Sequence, residues 1–430
     1  MTGPANRIGI IAGSGSLPRE VAESVVARGG SVHVVMVDGA ADASLAMFPH
    51  TVVNWAQPGR ATAALRQAGV RDVVMLGGYR RPNLRTARPD LAFFQMLPAV
   101  WRLLRAGGDD AVLRGLVALF ETRGLHVVGV ADVARDLLIG DGPQTQREPS
   151  PQDRADAERG FALVAALGRY DIGQATVVAN GRVEAIEGAE GTDRMLKRVA
   201  EARRGLGGSA RGGVLVKRPK PGQDLRVDLP AIGPSTVENA ASAGLSGVAV
   251  MAGHVLCAER ARVIAEANAR ELFVAGFGKQ PLSEPKRTNA DCAITGFGVV
   301  PMDDAAAADV RRGAGILATL SAFETGSAVI IDRRRVIAVG TDEAPCAVIR
   351  RAAGLRSGQK RRGIVVVGRG YETDEGVLHA AAEGKFAGVA AVSETGAPKL
   401  SAGIAGLAEK LGLFVGSVDI GSKEGEHRRD

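Results

Sequence analysis

The chain has 430 residues, 46% of them hydrophobic and 23% charged, with 54 Lys and Arg against 47 Asp and Glu for a formal net charge of +7. At about 100–200 residues per domain, that is apolar material for two to four cores. No apolar run reaches the roughly 18–20 residues of a membrane span, and the start MTGPANRIGII lacks the parts of a secretory signal, so a cytoplasmic protein is expected.

From the N-terminus, the β-branched runs RIGIIA (7–12), SVHVVMV (31–37), TVVNW (51–55), DVVML (72–76) and HVVGV (126–130) alternate with helix-length segments at 18–28 and 109–124. Short apolar strands separated by helices build a parallel sheet, so a Rossmann-like α/β domain is expected over 1–135. Its first turn reads AGSGSLPREVA. Gly13 and Gly15 tolerate backbone angles closed to other residues and let a ligand approach, while Ser14, Ser16 and the N–H groups of the helix start suit phosphate or sugar oxygens. A merely tight turn would read the same way. A dinucleotide fingerprint would carry a third glycine where Pro18 stands, although Asp38 closes the second strand as such a site requires. In GGYRRPN (77–83), Arg80 and Arg81 follow a strand end, where ligands sit on open α/β sheets. They read as diphosphate binders or as solvated turn residues.

A second α/β domain is expected over 136–278. The stretch DLRVDL alternates, so as a strand it would present Asp224, Arg226 and Asp228 on one face and Leu225, Val227 and Leu229 on the other. Two carboxylates flanking a cation can hold a hard divalent ion while the arginine holds a phosphate, and an ordinary half-exposed strand alternates identically. Lys217, Arg218 and Lys220 precede the trio around Pro219 and Pro221, and Pro230, Gly233 and Pro234 follow it. Cations, carboxylates and a stiffened loop in one place suit phosphoryl chemistry. AIEGAEGTD adds Glu187, Glu190 and Asp193 as ligands or a general base, with Thr192 or Asp193 as an alternative helix cap.

The polar, proline-bearing stretch at 279–289 reads as a linker. Beyond it the chain repeats itself: Gly160 and Gly313, Gly173 and Gly326, and Arg182 and Arg335 are separated by the same offset, 153, and Phe273 and Phe414 by 141. Asp193 falls opposite Cys346, and from Val366 to Val389 there are 23 steps where Val216 to Val248 has 32, so the region of the spaced aspartates has no counterpart. Residues 290–430 are expected to be a degenerate, non-catalytic copy of the second domain.

In this order, IGIIAGSGSLPREVA, GGYRRPN, GGDDAVLRGLVALFETRG, DIGQATVVANGRVEAIEGAEGTDRMLKR, VLVKRPKPGQDLRVDLPAIGPSTVENAASAGLSGVAV and AGHVL resemble the LpxI-type UDP-2,3-diacylglucosamine pyrophosphatases over about residues 7–278. The resemblance implies magnesium-dependent hydrolysis of the diphosphate of UDP-2,3-diacylglucosamine to UMP and 2,3-diacylglucosamine 1-phosphate, a step of lipid A synthesis. It also implies an essential aspartate in QDLRVD, either Asp224 or Asp228. On that reading Mg2+, with Mn2+ as a substitute, is held by Asp224, Asp228 and Asp193 or Glu190. Arg226, Lys217 and Lys220 then stabilise phosphoryl charge, and the turn Gly13–Ser14–Gly15–Ser16 binds part of the head group.

Three cysteines, Cys257, Cys292 and Cys346, with no C-x-x-C and no histidine at ligand spacing, indicate neither a disulfide frame nor a zinc site. Basic clusters such as ARRGLGGSARGGVLVKRPK and RRAAGLRSGQKRR come with only 4% aromatic residues, which argues against a nucleic-acid partner. They suit a phosphate-rich substrate, peripheral contact with the inner membrane surface or a solvated basic face. A homodimer, or a pseudo-dimer through the C-terminal repeat, is expected. The competing readings are a nucleotide-sugar or NAD-dependent oxidoreductase using Gly13, Gly15 and Asp38, and a non-catalytic basic protein binding lipid or nucleic acid.

Overall fold

Strands that are apolar on both faces need helices above and below them, and the N-terminal runs obtain both. The computed structural model describes residues 7–78, 86–95, 109–205, 212–278, 294–297, 300–356, 360–393 and 402–419. The expected linker at 279–289 lies outside the described residues, as do Arg80 and Arg81.

In chain order the strands are β1 (Arg7–Ala12), β2 (Ser31–Val37), β3 (His50–Val53), β4 (Asp72–Leu76), β5 (His126–Val127), β6 (Gly142–Pro143), β7 (Ala175–Ala179), β8 (Arg182–Ile186), β9 (Val214–Lys217) and β10 (Ala231–Ile232). They continue as β11 (Gly247–Met251), β12 (Leu256–Cys257), β13 (Phe273–Phe277), β14 (Ile294–Phe297), β15 (Ala328–Asp332), β16 (Arg335–Val339), β17 (Ile364–Val367), β18 (Gly388–Ser393) and β19 (Phe414–Asp419). The helices used below are α1 (Leu17–Ala27), α2 (Pro58–Gln67), α3 (Asp109–Glu121), α4 (Val130–Val133), α5 (Pro151–Gly168) and α6 (Thr192–Gly205). After them come α7 (Pro234–Ser242), α8 (Arg260–Ala269), α9 (Asp304–Ser321), α10 (Pro345–Leu355), α11 (Glu375–Glu383) and α12 (Ala402–Lys410).

The chain divides into two compact units: Met1–Glu148 with Gly222–Glu238 and Val248–Gln280, and Pro149–Pro221 with Asn239–Gly247 and Pro281–Asp430. In the first, a five-stranded parallel sheet has the order β3-β2-β1-β4-β5. Because successive residues of β1 point to opposite faces, Ile10 packs with Val21, Ala22 and Val25 of α1, while Ile11 packs with Ala61 and Leu65 of α2 and Phe120 of α3. The run HVVGV yields a strand of only two residues. Val130 already opens α4, whose first turn is closed when Gly129 N donates to Asp132 Oδ2 at 2.9 Å. The same unit also holds β13 antiparallel to β6, and the two-stranded pair β10 and β12.

In the second unit β7 is antiparallel to both β8 and β9, with a register shift between Val177 and Val178. A further six-stranded sheet runs β14-β19-β18-β17-β15-β16; there β15 is antiparallel to β16 and β17, with a shift between Ile330 and Ile331. The fold is therefore α/β throughout, a parallel N-terminal sheet followed by mixed α/β sheets. Among the described residues no helix is long and apolar enough to cross a membrane.

Helix α5 starts on a reciprocal cap: Ser150 Oγ accepts from Asp153 N at 3.2 Å and Asp153 Oδ2 accepts from Ser150 N at 2.9 Å. The Ser150→Ala substitution orphans one N-terminal donor and is expected to cost about 1 kcal/mol. A lowered urea midpoint for α5 amides in hydrogen exchange of the full chain checks it, and an unchanged midpoint counts against the cap.

Candidate functional site

The first constellation lies at the C-terminal ends of β1 and β4. Gly13 N donates to Leu76 O at 2.9 Å, and Ser14 and Gly78 exchange both backbone hydrogen bonds at 2.9 Å. This clasp explains two glycines. A Cβ on Gly13 would stand 2.7 Å from Gly78 O, and one on Gly77, which has φ +99°, would stand 2.7 Å from Gly13 C. Gly13 thus makes room for backbone. Gly15, at φ +101° with no atom within 4 Å of its Cβ position, is the glycine that leaves open space. Ser16 precedes α1 and its hydroxyl makes no capping bond, while Pro18 occupies the first turn, where a missing N–H costs nothing.

Beside this clasp is a cavity of about 920 Å³. Ser14, Gly15 and Ser16 line it with Arg226 and Asp228, and Leu17, Leu113, Leu116, Leu229 and Leu256 form an apolar wall. One space therefore combines hydroxyls, a guanidinium and a carboxylate with room for hydrocarbon.

The segment that delivers Arg226 and Asp228 is not the expected strand. Val227 N and Asp228 N both donate to Asp224 O at 3.1 Å, and Arg226 N donates to Asp224 Oδ1 at 3.1 Å, which closes a helical turn. The physical reason is local: an aspartate can bond backbone two residues on, and here its carboxylate also receives Arg226 Nε at 2.9 Å and Nη2 at 2.7 Å. Arg226 Nη1 reaches Glu121 Oε1 of α3 at 2.9 Å. Hydrogen bonding from Arg226 holds the Asp224 carboxyl below its ordinary range, and Asp224 in turn raises the guanidinium. Val227 and Leu229, which alternation would put on one face, pack against different cores of the first unit. Asp228 accepts the Gln223 side-chain amide and faces the cavity, whose lining does not include Asp224.

The second constellation belongs to the other unit. Lys217 ends β9 and is only 8% exposed; its Nζ donates to Thr192 Oγ1 at 3.2 Å. Thr192 Oγ1 donates to Glu187 Oε1 at 2.8 Å, Glu187 Oε2 accepts from Gln174 N at 2.6 Å, and Asp193 Oδ1 accepts from Asn239 Nδ2 at 3.0 Å. Burial pulls the Lys217 ammonium below its usual pKa, against the attraction of Glu187 and Asp193. Arg218 beside it is 1% exposed, so VKRPK is interior and not a solvated basic face. Lys220 pairs with Asp171.

Of the four expected metal ligands, Asp224 and Asp228 lie in the first unit and Asp193 and Glu190 in the second. Glu190 is closed off by Arg198 at 2.8 Å and Arg351 at 3.1 Å. Among the described residues no three His, Cys, Asp or Glu gather as a metal site. The magnesium pattern of one or two carboxylates completed by substrate phosphate oxygens fits Asp228, which lines the cavity, whereas both oxygens of Asp224 are held by Arg226. Sequence reasoning missed Gln174, Asn239 and Glu121, whose partners are far along the chain; only folding brings them together.

The first unit is thus a parallel α/β domain whose glycine turn and acidic loop share a cavity with an apolar wall. Residues 7–137 match the family model of the LpxI N-terminal domain and residues 140–275 that of the LpxI C-terminal domain. The UDP-2,3-diacylglucosamine pyrophosphatase LpxI of Caulobacter vibrioides is 39% identical over 276 residues, 64% of this chain and 98% of that protein. The chain belongs to the LpxI family.

The pairing of Asp224 contributes stability above the ordinary carboxylate pKa of about 3.9, and that stability is lost as pH falls through the lower folded value. Asp224→Asn is therefore expected to cost about 1 kcal/mol at pH 7, between an exposed ion pair and a charged hydrogen bond. The gap from wild type in urea unfolding should narrow as pH falls below the ordinary carboxylate value of about 3.9. A pH-independent gap would mean the loss is not electrostatic.

Proposed function

We propose that this chain hydrolyses the diphosphate of UDP-2,3-diacylglucosamine, with Mg2+, to UMP and 2,3-diacylglucosamine 1-phosphate, and so serves lipid A synthesis. The observation that carries the reading is the first-unit cavity, where Arg226, Asp228 and the Ser14–Ser16 turn stand beside an apolar wall in a member of the LpxI family. The relative from Caulobacter vibrioides bears the name of that pyrophosphatase.

Each part has a physical role. Arg226 keeps its guanidinium aimed by two carboxylates, Asp224 and Glu121, and offers its charge to a diphosphate oxygen without having to be ordered by the ligand. Asp228, which lines the cavity where Asp224 does not, is the carboxylate we assign as essential: it orients water and accepts its proton as the phosphoric anhydride bond breaks. The open backbone at Gly15 and the hydroxyl of Ser16 bind head-group oxygens, Ser14 Oγ donates to Gly78 O at 2.9 Å and firms the clasp, and Leu113, Leu116 and Leu229 face hydrocarbon. Asp228 would hold Mg2+ together with substrate oxygens, and the ion would supply neutralisation of diphosphate charge and a lowered pKa of bound water. Lys217 is a buried cation whose burial favours an anionic group as company.

Incubating the purified full chain with UDP-2,3-diacylglucosamine and Mg2+ should release UMP. Asp228→Asn should lower the rate by roughly 10²–10⁴-fold, the span of a lost general base, with an unchanged circular dichroism spectrum. If Asp228→Asn keeps the wild-type rate while Asp224→Asn loses it, the two aspartates exchange roles. Excess chelator should stop UMP release and Mg2+ or Mn2+ restore it; full activity in chelator removes the metal from the proposal.

A further inference from the structure

The second unit contains two sets of elements that match at one offset. Helix α5 (Pro151–Gly168) and α9 (Asp304–Ser321), β7 and β15, and β8 and β16 have the same lengths and begin 153 residues apart. The register shift at Val177/Val178 recurs at Ile330/Ile331, and the left-handed residues Asp171 (φ 53°) and Asn180 (φ 51°) recur as Glu324 (φ 55°) and Arg333 (φ 53°). Gly160 and Gly313 each sit where a Cβ would stand 2.5 Å from a valine of the neighbouring strand, Val216 or Val366. Irregularities of this kind are not imposed by a general α/β plan, and their recurrence in register marks a duplication.

The contacts between the two sets are reciprocal. Arg159 Nη2 donates to Phe323 O at 2.9 Å, and its counterpart Arg312 Nη2 donates to Tyr170 O, the counterpart of Phe323 O, at 2.6 Å; each guanidinium lies 5.8 Å from the partner ring. Glu190 and Glu343 are counterparts, as are Arg198 and Arg351. All four join in one cluster: Arg198 pairs with Glu190 at 2.8 Å and Glu343 at 3.6 Å, while Arg351 pairs with Glu190 at 3.1 Å and also with Glu343. Leu163 and Leu167 of α5 share one apolar core with Ile316 and Leu320 of α9. When residue i of one copy meets j of the other and j meets i, the interface is that of a two-fold dimer.

What does not recur is the polar cluster. Glu187, Thr192 and Asp193 become Gly340, Pro345 and Cys346, and Lys217 at the end of β9 becomes Val367 at the end of β17. We infer that the C-terminal domain is a tethered second copy of the middle domain which occupies, within one chain, the place of the partner in a two-fold dimer. It keeps the self-complementary face and has shed the polar cluster.

The Glu–Arg cluster allows a test that leaves each copy's own pair intact. Exchanging charges in one copy only, as Glu190→Arg with Arg198→Glu or as Glu343→Arg with Arg351→Glu, preserves the internal pair and sets like charges across the interface. Either half-exchange in the full chain should raise hydrogen exchange in α5 and α9 together, at least ten-fold and to a similar extent, and the four-fold exchange should restore protection. Wild type should sediment as a single chain. The inference fails if exchange rises in one helix alone, if the four-fold variant stays open, or if wild type is a two-chain dimer whose dissociation exposes these same amides.

Discussion

A charged group enters a protein interior only where another part of the chain brings it a counter-charge or hydrogen-bond partner. Pairing of this kind occurs in both units, around a half-exposed cation in the first and interior charges in the second. Arg226 is held by Asp224 from its own turn and by Glu121 from α3. Lys217 meets Thr192, and through it Glu187, at the entry to α6. Glu190, with its side chain 3% exposed, is accepted between two arginines that lie 153 residues apart. Remove both arginines and Glu190 is left an unpaired interior charge, so that carboxylate specifies a tertiary arrangement as well as filling it, whereas the half-exposed Arg226 is aimed by its carboxylates.

The same constraint changes the meaning of the net positive charge. Read along the chain, VKRPK and RRAAGLRSGQKRR look like a basic surface. In the fold Lys217 and Arg218 are interior, Arg351 belongs to the interface cluster and Arg356 pairs with Asp332. Arg203 likewise joins Glu184 and three backbone carbonyls. These cations tie strands and helices together, while Arg350, Lys360 and Arg361 of the second cluster stay exposed.

On the inferred duplication, a copy that keeps its packing and loses its polar cluster is under a divided demand. Both copies need Gly160 or Gly313 to let a helix approach a valine strand, because a methyl group there has no space. Both need the arginine that meets the other copy's carbonyl. Only one needs Lys217 with Glu187 and Thr192. Packing groups persist in both places because each copy is half of a shared core, whereas a buried lysine without its partners would only destabilise the second.

The sequence by itself determined the α/β class, the parallel N-terminal sheet, the glycine turn as a place of close approach and the internal offset. Each is a matter of local periodicity or identity, carried by apolar alternation and by residues whose backbone preference is intrinsic. It also marked QDLRVD as the acidic segment, but the alternation in DLRVDL suggested a strand where the Asp224 carboxylate closes a turn. Period two in six residues is weaker than an aspartate with an arginine two positions on. Tertiary structure alone decided that Gly13 serves backbone while Gly15 leaves space, that Asp228 faces the cavity and Asp224 does not, and that Glu190 is spent on an interface. Each of those outcomes depends on a partner distant in the chain, at Gly78, at Glu121 or at Arg351, and distance along the chain carries no record of who meets whom.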